Sequence, residues 1–350
     1  MQKINNTLVG LRGFLALSVV IFHIYGSSVL EGYIKGFASD NILYSINYAG
    51  PISVNLFFVI SGYLILKSLT TKRTMGQFLK DRTLRIYPVF LTIHISVFIM
   101  GPIIGYKWMN NIDVTSYVVH FISNLLLLPG MFNLPIAQIV AWSLSYEAAF
   151  YLIAGTLFFV WKKSNKLTLH TYFRYTFVSI MALVCIAIFY FRPAALFFTV
   201  GILVFLCEST IKRWFKPRKV FYLGGIITLG LLYLSYYMQI IPTAIILVLS
   251  LLLFITIIVE YGLLSSILRL GPMQYLGKIS YSLYMWHTMV MFPLKKVMGK
   301  ISLYIHNPSI LLLIYIVSTI TLSILVSHLS YTYIEKKLTT NLRGLWDKKI

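Results

Sequence analysis

The chain has 350 residues, of which 59% are hydrophobic and only 11% are charged, against about 25% charged in ordinary soluble domains. That excludes a water-soluble globule and predicts a polytopic membrane protein of the all-α class, with the lipid bilayer as its main surroundings. The formal charge of +21 suggests a nucleic-acid partner at first sight, but the charges sit in short loops between apolar stretches, so no nucleic acid is expected.

A helix needs roughly 20 residues to cross the hydrocarbon core. In chain order, ten segments meet that need: 8–28, 45–69, 84–105, 138–161, 174–191, 195–211, 219–238, 240–259, 275–297 and 309–335. The first has no small-residue cleavage site behind it and reads as a retained span rather than a signal peptide. With the N-terminus in the cytoplasm, 23 of the Lys and Arg residues fall inside, and only Lys35, Lys107, Arg192, Lys295, Lys296 and Lys300 fall outside. The excess of cations places both termini in the cytoplasm. Residues 117–128 are apolar enough for a short span, but a crossing there would turn the basic loops outward. The stretch 106–137 is therefore expected outside, with an interfacial or re-entrant helix. Cys185 and Cys207 lie in apolar segments without metal-ligand spacing, so they read as small buried side chains and no metal is expected.

Polar groups within apolar spans are costly and mark function. Arg12 and His23 are eleven residues apart, almost three helical turns, so they share one face about 16 Å apart along the axis. A cation near the cytoplasmic mouth and a titratable imidazole deeper in describe a path for an anionic substrate. Glu147, in Trp142-Ser143-Leu144-Ser145-Tyr146-Glu147, falls about 13 Å from the outer edge and His23 about 8 Å, close enough in depth to pair. A carboxylate beside an imidazole fixes its tautomer and suits a general base; a structural ion pair of Glu147 with Arg12 or Arg192 is the alternative. Arg82 and Arg85 share a helix face at the start of the third span and suit phosphate groups, or serve only as positive-inside charge. Ser61 and Gly62 leave either room for a substrate or a place for close helix packing. Tyr281, Tyr284 and His287 either line the same cavity or bond a neighbouring helix, while His94, His120, His170, His306 and His328 read as structural.

These blocks resemble the membrane-bound acyltransferase-3 family. The pattern is Arg12-Gly13 with His23; Asn55-Leu56-Phe57-Phe58-Val59-Ile60-Ser61-Gly62; Arg82 and Arg85 followed by Pro88; Trp142 to Glu147 with Phe150-Tyr151; and Leu276-Gly277 with Ser280-Tyr281-Ser282-Leu283-Tyr284 and Trp286-His287. The blocks keep the family's order, and the similarity runs over about 5–336. The resemblance implies a ten-span fold and transfer of an acyl group, usually acetyl, from a cytoplasmic coenzyme A thioester to a sugar hydroxyl outside the bacterial inner membrane. It implies His23 as catalytic base with Arg12 as companion, Glu147 as active-site carboxylate, and Arg82 and Arg85, with Ser61 beside the path, on the donor. Tyr281, His287 and Trp142 are expected in the substrate cavity. Two departures stand out: Asn55 replaces a frequent Asp, and Ala148 stands where a second acid is frequent. Residues 1–350 are expected to form one membrane domain, without the extracytoplasmic hydrolase-like domain of many relatives.

The expected function is therefore O-acyl transfer, most simply O-acetyl transfer from acetyl-CoA to a surface carbohydrate such as O-antigen, capsule or exopolysaccharide. No Ser or Cys nucleophile stands out near His23, so direct attack in a ternary complex is simpler than a covalent relay, though an acyl-His23 relay stays open. A flippase of lipid-linked sugars would carry the same intramembrane Arg, His and Glu. A small-molecule acceptor would keep the enzyme and change its substrate.

Overall fold

A computed structural model describes residues 5–72, 74–164, 171–215, 219–238 and 242–347. Among these residues the fold is all-α. The helices are α1 (Asn6–Leu30), α2 (Ala49–Thr71), α3 (Met75–Ile104), α4 (Val114–Leu125), α5 (Trp142–Ser164), α6 (Thr171–Phe191) and α7 (Leu196–Leu206). They continue with α8 (Glu208–Trp214), α9 (Gly224–Met238), α10 (Thr243–Val259), α11 (Leu263–Leu268), α12 (Gly271–Ile301), α13 (Pro308–Ser330) and α14 (Thr339–Asp347). A tighter helical segment, Ile42–Tyr48, leads into α2, and a wider π-type segment, Tyr331–Leu338, joins α13 to α14. Of the cations used to orient the chain, Lys3, Arg73, Lys166, Lys216, Arg218, Lys348 and Lys349 lie outside the described residues, as does His170.

Local chemistry fixes several helix ends. The Asn5 side chain accepts the Leu8 N–H at 2.7 Å to start α1, and Thr74 accepts that of Gln77 to start α3. Asn307 accepts from Ser309 and Ile310 ahead of Pro308, which suits a first helical position because it has no N–H to leave unpaired. Gly105 closes α3 at φ 62°, a left-handed conformation that costs glycine little.

A helix lies at each segment expected to be apolar. Among the described residues, five stretches are long and apolar enough to cross a bilayer, Asn6–Leu30, Ile42–Thr71, Met75–Ile104, Trp142–Lys162 and Pro308–Trp346, or six if a bent pair counts as one span. The segment expected as a span over 195–211 is bent: α7 and α8 meet at 65°. At the bend the Glu208 carboxylate accepts the Tyr63 hydroxyl at 2.9 Å and a short bond from Lys212, so this acid is paired on both oxygens. Residues 117–128 do not form a span either. Helix α4 has 12 residues, about 18 Å, and it shows Val114, Val118, Val119 and Ile122 outward while burying Ser123 and Asn124. Outward apolar rows such as Ile95, Ile99 and Ile103 on α3 fit a chain whose surroundings are lipid. This is a membrane protein.

The chain forms two compact units. Unit one comprises Met1–Tyr63 and Phe197–Tyr331; unit two comprises Leu64–Leu196 and Thr332–Ile350. The core of unit one is a packed set from α1, α12 and α13, including Val20, Ile24, Leu283, Met291 and Tyr315. Helices α1 and α12 touch backbone to backbone. A Cβ on Gly13 would lie 2.6 Å from both Gly277 N and Met273 O, and one on Gly277 would strike Val9 O. Only glycine permits that approach. Helix α13 is tied in by polar contacts: Ser27 to Tyr315 at 2.7 Å, and Trp286 Nε1 donating to Ser330 at 2.9 Å. Gly62 follows the close-packing reading, since a Cβ there would strike Phe198 O of α7.

Unit two is built around α3, α5 and the C-terminal segment. Gly155 of α5 packs against Met75 and Phe78, and Thr339 reaches the Leu84 carbonyl. The first turn of α5 is fastened to the preceding loop, where the Gly130 N–H donates to Ser145 Oγ at 3.1 Å. Arg192 fixes the same loop by donating to the Met131 carbonyl at 2.8 Å and to Asn133 at 3.2 Å.

Candidate active site

In unit one, α1 carries Arg12 and His23 on a single unbroken helix, as their spacing required. Both are half-buried. His23 lies one turn after Val20 of the core and next to Ile24, and Phe22 meets its imidazole edge-on at 4.9 Å. Its Nδ1 lies 3.0 Å from the Val19 carbonyl and 3.2 Å from Nε2 of His287. His287 comes from α12, is fully buried, and sets its own Nδ1 3.1 Å from the Leu283 carbonyl. The two rings stand 5.0 Å apart between centroids, tilted by 53°. Tyr284 adjoins His287 at 6.3 Å and meets Phe57 of α2 at 6.0 Å. Tyr281 is half-buried on the same helix, and Ser61 is half-buried on α2. Of the expected cavity residues, Tyr281 and His287 therefore share unit one with His23.

Glu147, Trp142, Arg82 and Arg85 belong to unit two. The Tyr151 hydroxyl, one helical turn from Glu147, donates to Glu147 Oε2 at 2.7 Å. Tyr151 also takes a hydrogen bond from Arg82, so Arg82, Tyr151 and Glu147 form a chain in which donor and acceptor alternate. The Arg82 guanidinium lies over the rings of Phe78 and Tyr151 at 5.7 and 5.8 Å, and one of its terminal nitrogens donates to Ser68 at 3.1 Å. Its Nε is buried without a hydrogen-bond partner. Trp142 heads α5 and meets Tyr146 edge-on at 5.5 Å.

Around Arg82 lies a cavity of 420 Å³ lined by Ser68, Lys72, Asp81, Arg85, Thr339 and Arg343, among others. Asp81 holds two of its cations, Lys72 by a short ion pair and Arg343 at 3.1 Å. Four cationic side chains face two carboxylates, Asp81 and Glu335, so the lining is net positive. The excess of guanidinium and ammonium groups over carboxylates in this open cavity suits an anionic ligand.

The sequence reading named Arg82 and Arg85 and missed Lys72, Asp81, Arg343 and Tyr151. Tyr151 was discoverable, since its four-residue spacing from Glu147 puts both on one helix face. Arg343 carried no such signal, because its partner Asp81 lies more than 250 residues earlier in the chain.

The family's sequence model, described as an acyltransferase domain, matches residues 5–328. The chain belongs to the acyltransferase-3 family. Among its relatives is "Acyltransferase MdmB" of Streptomyces mycarofaciens, 31% identical over 156 residues, which are 42% of this chain and 37% of that protein. An uncharacterized protein of Haemophilus influenzae is 37% identical over 114 residues, 29% of this chain and 46% of that one. The matched stretches thus span less than half of either relative. "Putative acetyltransferase ORF330" of Acidianus two-tailed virus is 24% identical over 292 residues, 80% of this chain and 81% of its own. No solved structure matches the chain.

Proposed function

We propose that this acyltransferase moves an acetyl group from acetyl-CoA to a hydroxyl of a surface carbohydrate, as a ten-span protein of the bacterial inner membrane with both termini in the cytoplasm. The observation that carries the donor is the cationic cavity around Arg82. Coenzyme A is rich in phosphate, and guanidinium groups grip phosphate bidentately. Arg82 and Arg85 are the expected main contacts, with Arg343 released from Asp81 to add a third. The acetyltransferase name of the viral relative supports the acyl group.

His23 is the expected base. It takes the proton of the acceptor hydroxyl as that oxygen attacks the thioester carbonyl carbon. The carbon–sulfur bond then breaks, and the departing thiolate receives the proton from His23, so the base is restored. Arg12, on the same face of α1, offers a cation to the anionic donor. The acceptor side is supported by an aromatic set in unit one: Tyr44 and Tyr48 stand 6.1 Å apart, Tyr48 and Tyr236 6.3 Å, and Tyr236 is bonded to Asn55. Such faces and hydroxyls suit a sugar ring.

The test is to supply membranes containing the protein with labelled acetyl-CoA and to follow the label by mass spectrometry. Label in polysaccharide that vanishes with His23→Ala confirms the reading. Label confined to an organic-soluble small product replaces the carbohydrate acceptor with a small molecule. Transfer undiminished in His23→Ala removes the catalytic assignment.

A further inference from the structure

Resting on the reading of His23 as the base, we infer that His287 is the positioning residue of the reaction. Its Nε2 accepts the Nδ1–H of His23 and thereby leaves His23 Nε2 as the nitrogen that takes the proton from the acceptor hydroxyl.

The assignment follows from what each neighbouring atom can do. A carbonyl oxygen only accepts, so the ring nitrogen beside it carries the hydrogen. His287 Nδ1 faces the Leu283 carbonyl at 3.1 Å and is therefore the protonated nitrogen of that ring. Its Nε2 is then a lone pair, pointing at His23 Nδ1 from 3.2 Å. His23 Nδ1 also faces the Val19 carbonyl at 3.0 Å, so it too carries hydrogen, shared between two acceptors. The opposite arrangement sets a lone pair of each ring against a carbonyl oxygen and loses both contacts. One tautomer pair satisfies all three distances, and in it His23 Nε2 is unprotonated.

Why the second acceptor is needed follows from the helix. The Val19 carbonyl, four residues before His23, is already the natural acceptor of the His23 backbone N–H. It therefore serves two donors of the same residue. His287 adds an acceptor from another helix, and together they hold the ring against a half-turn that would exchange Nδ1 with carbon. Accessibility separates the two roles, since His287 is fully buried and His23 is half-buried. The buried ring orients and the accessible one reacts. As His23 takes the proton, its charge is shared through Nδ1–H with His287 Nε2. No proton need leave the pair, because the thiolate takes it back from His23 Nε2. The same logic serves histidines that are oriented by a carboxylate, with a neutral acceptor here in its place.

The experiment compares His287→Gln, His287→Asn and His287→Ala with wild type and His23→Ala in the full-length protein. The Gln side chain carries its carbonyl oxygen near the place of Nε2; Asn reaches only the place of Nδ1. Kinetics are measured on acetyl transfer, with folded yield followed by size-exclusion chromatography. The expected result is kcat within about threefold of wild type for Gln, and a fall of about 100-fold for Asn and Ala, with KM for acetyl-CoA unchanged. Asn at wild-type kcat, or folded Gln as inactive as folded Asn, overturns the positioning role while leaving His23 as base. Undiminished transfer by His23→Ala overturns the base itself, whatever the His287 variants do.

Discussion

In unit one the groups of interest are two imidazoles, His23 and His287, in contact with each other, each with its Nδ1 beside the carbonyl four residues earlier on its own helix. In unit two they are guanidinium, ammonium and carboxylate groups around an open, polar cavity, with Asp81 bridging Lys72 and Arg343. On the function proposed above, the difference is one of task. A base must stay neutral and hold a fixed orientation, which apolar packing and short backbone contacts provide. A site for a phosphorylated donor must offer charge that can exchange partners, which surface ion pairs provide because each is weakly held.

That comparison can be broken at several points. His23→Ala should lower kcat by about 1,000-fold or more with little change in the donor KM, read from initial rates of labelled acetyl transfer. A donor KM that rises in parallel would join the two tasks. Gly277→Val should cost folded protein rather than a kinetic constant, because a side chain there meets the Val9 carbonyl, and overpacking costs about 1–3 kcal/mol where repacking is possible. Thermal unfolding in detergent, followed by intrinsic fluorescence, reads it as a lower midpoint or as lost yield. Arg82→Ala should raise the donor KM about tenfold and leave kcat nearly intact, and raising the salt concentration should move wild type in the same direction. Arg343→Ala should raise it only about threefold, since that side chain is exposed and already shared with Asp81. The smallest effect belongs to Asp113, which caps α4. The Ser116 hydroxyl and N–H bond its carboxylate and hold it below the usual carboxylate range. A depressed value means the cap stabilises α4 above the ordinary carboxylate pKa and fades as pH falls through the lowered one. Hydrogen exchange at 114–117 should therefore quicken in Asp113→Ala near neutral pH, and the difference should close in acid.

Much of the architecture was legible because lipid leaves few choices. Long apolar runs become helices, and Arg12 and His23 had to share a face once α1 was unbroken. Fine structure was less legible where a polar residue found a distant partner. Glu208, at the bend of 195–211, accepts from Tyr63, and no local pattern announces that bond. Within the site, the sequence placed His287 in a cavity with Tyr281 but gave no sign that its ring meets His23, a contact between residues 264 positions apart. It paired His23 with Glu147 by depth alone, and it gave no sign that Glu147 accepts the Tyr151 hydroxyl one turn along its own helix. Arg343 looked like one more orienting charge of a basic tail until its place in the cavity was seen.

The glycine seam between α1 and α12 has a consequence for how the enzyme must breathe. Two helices joined backbone to backbone at Gly13 and Gly277 have little slack for sliding or rotation, so they travel as a single keel with both imidazoles fixed to it. Admission of an acceptor and release of the product therefore fall to other elements. Variants selected for a new acceptor should gather in those elements and leave the keel untouched.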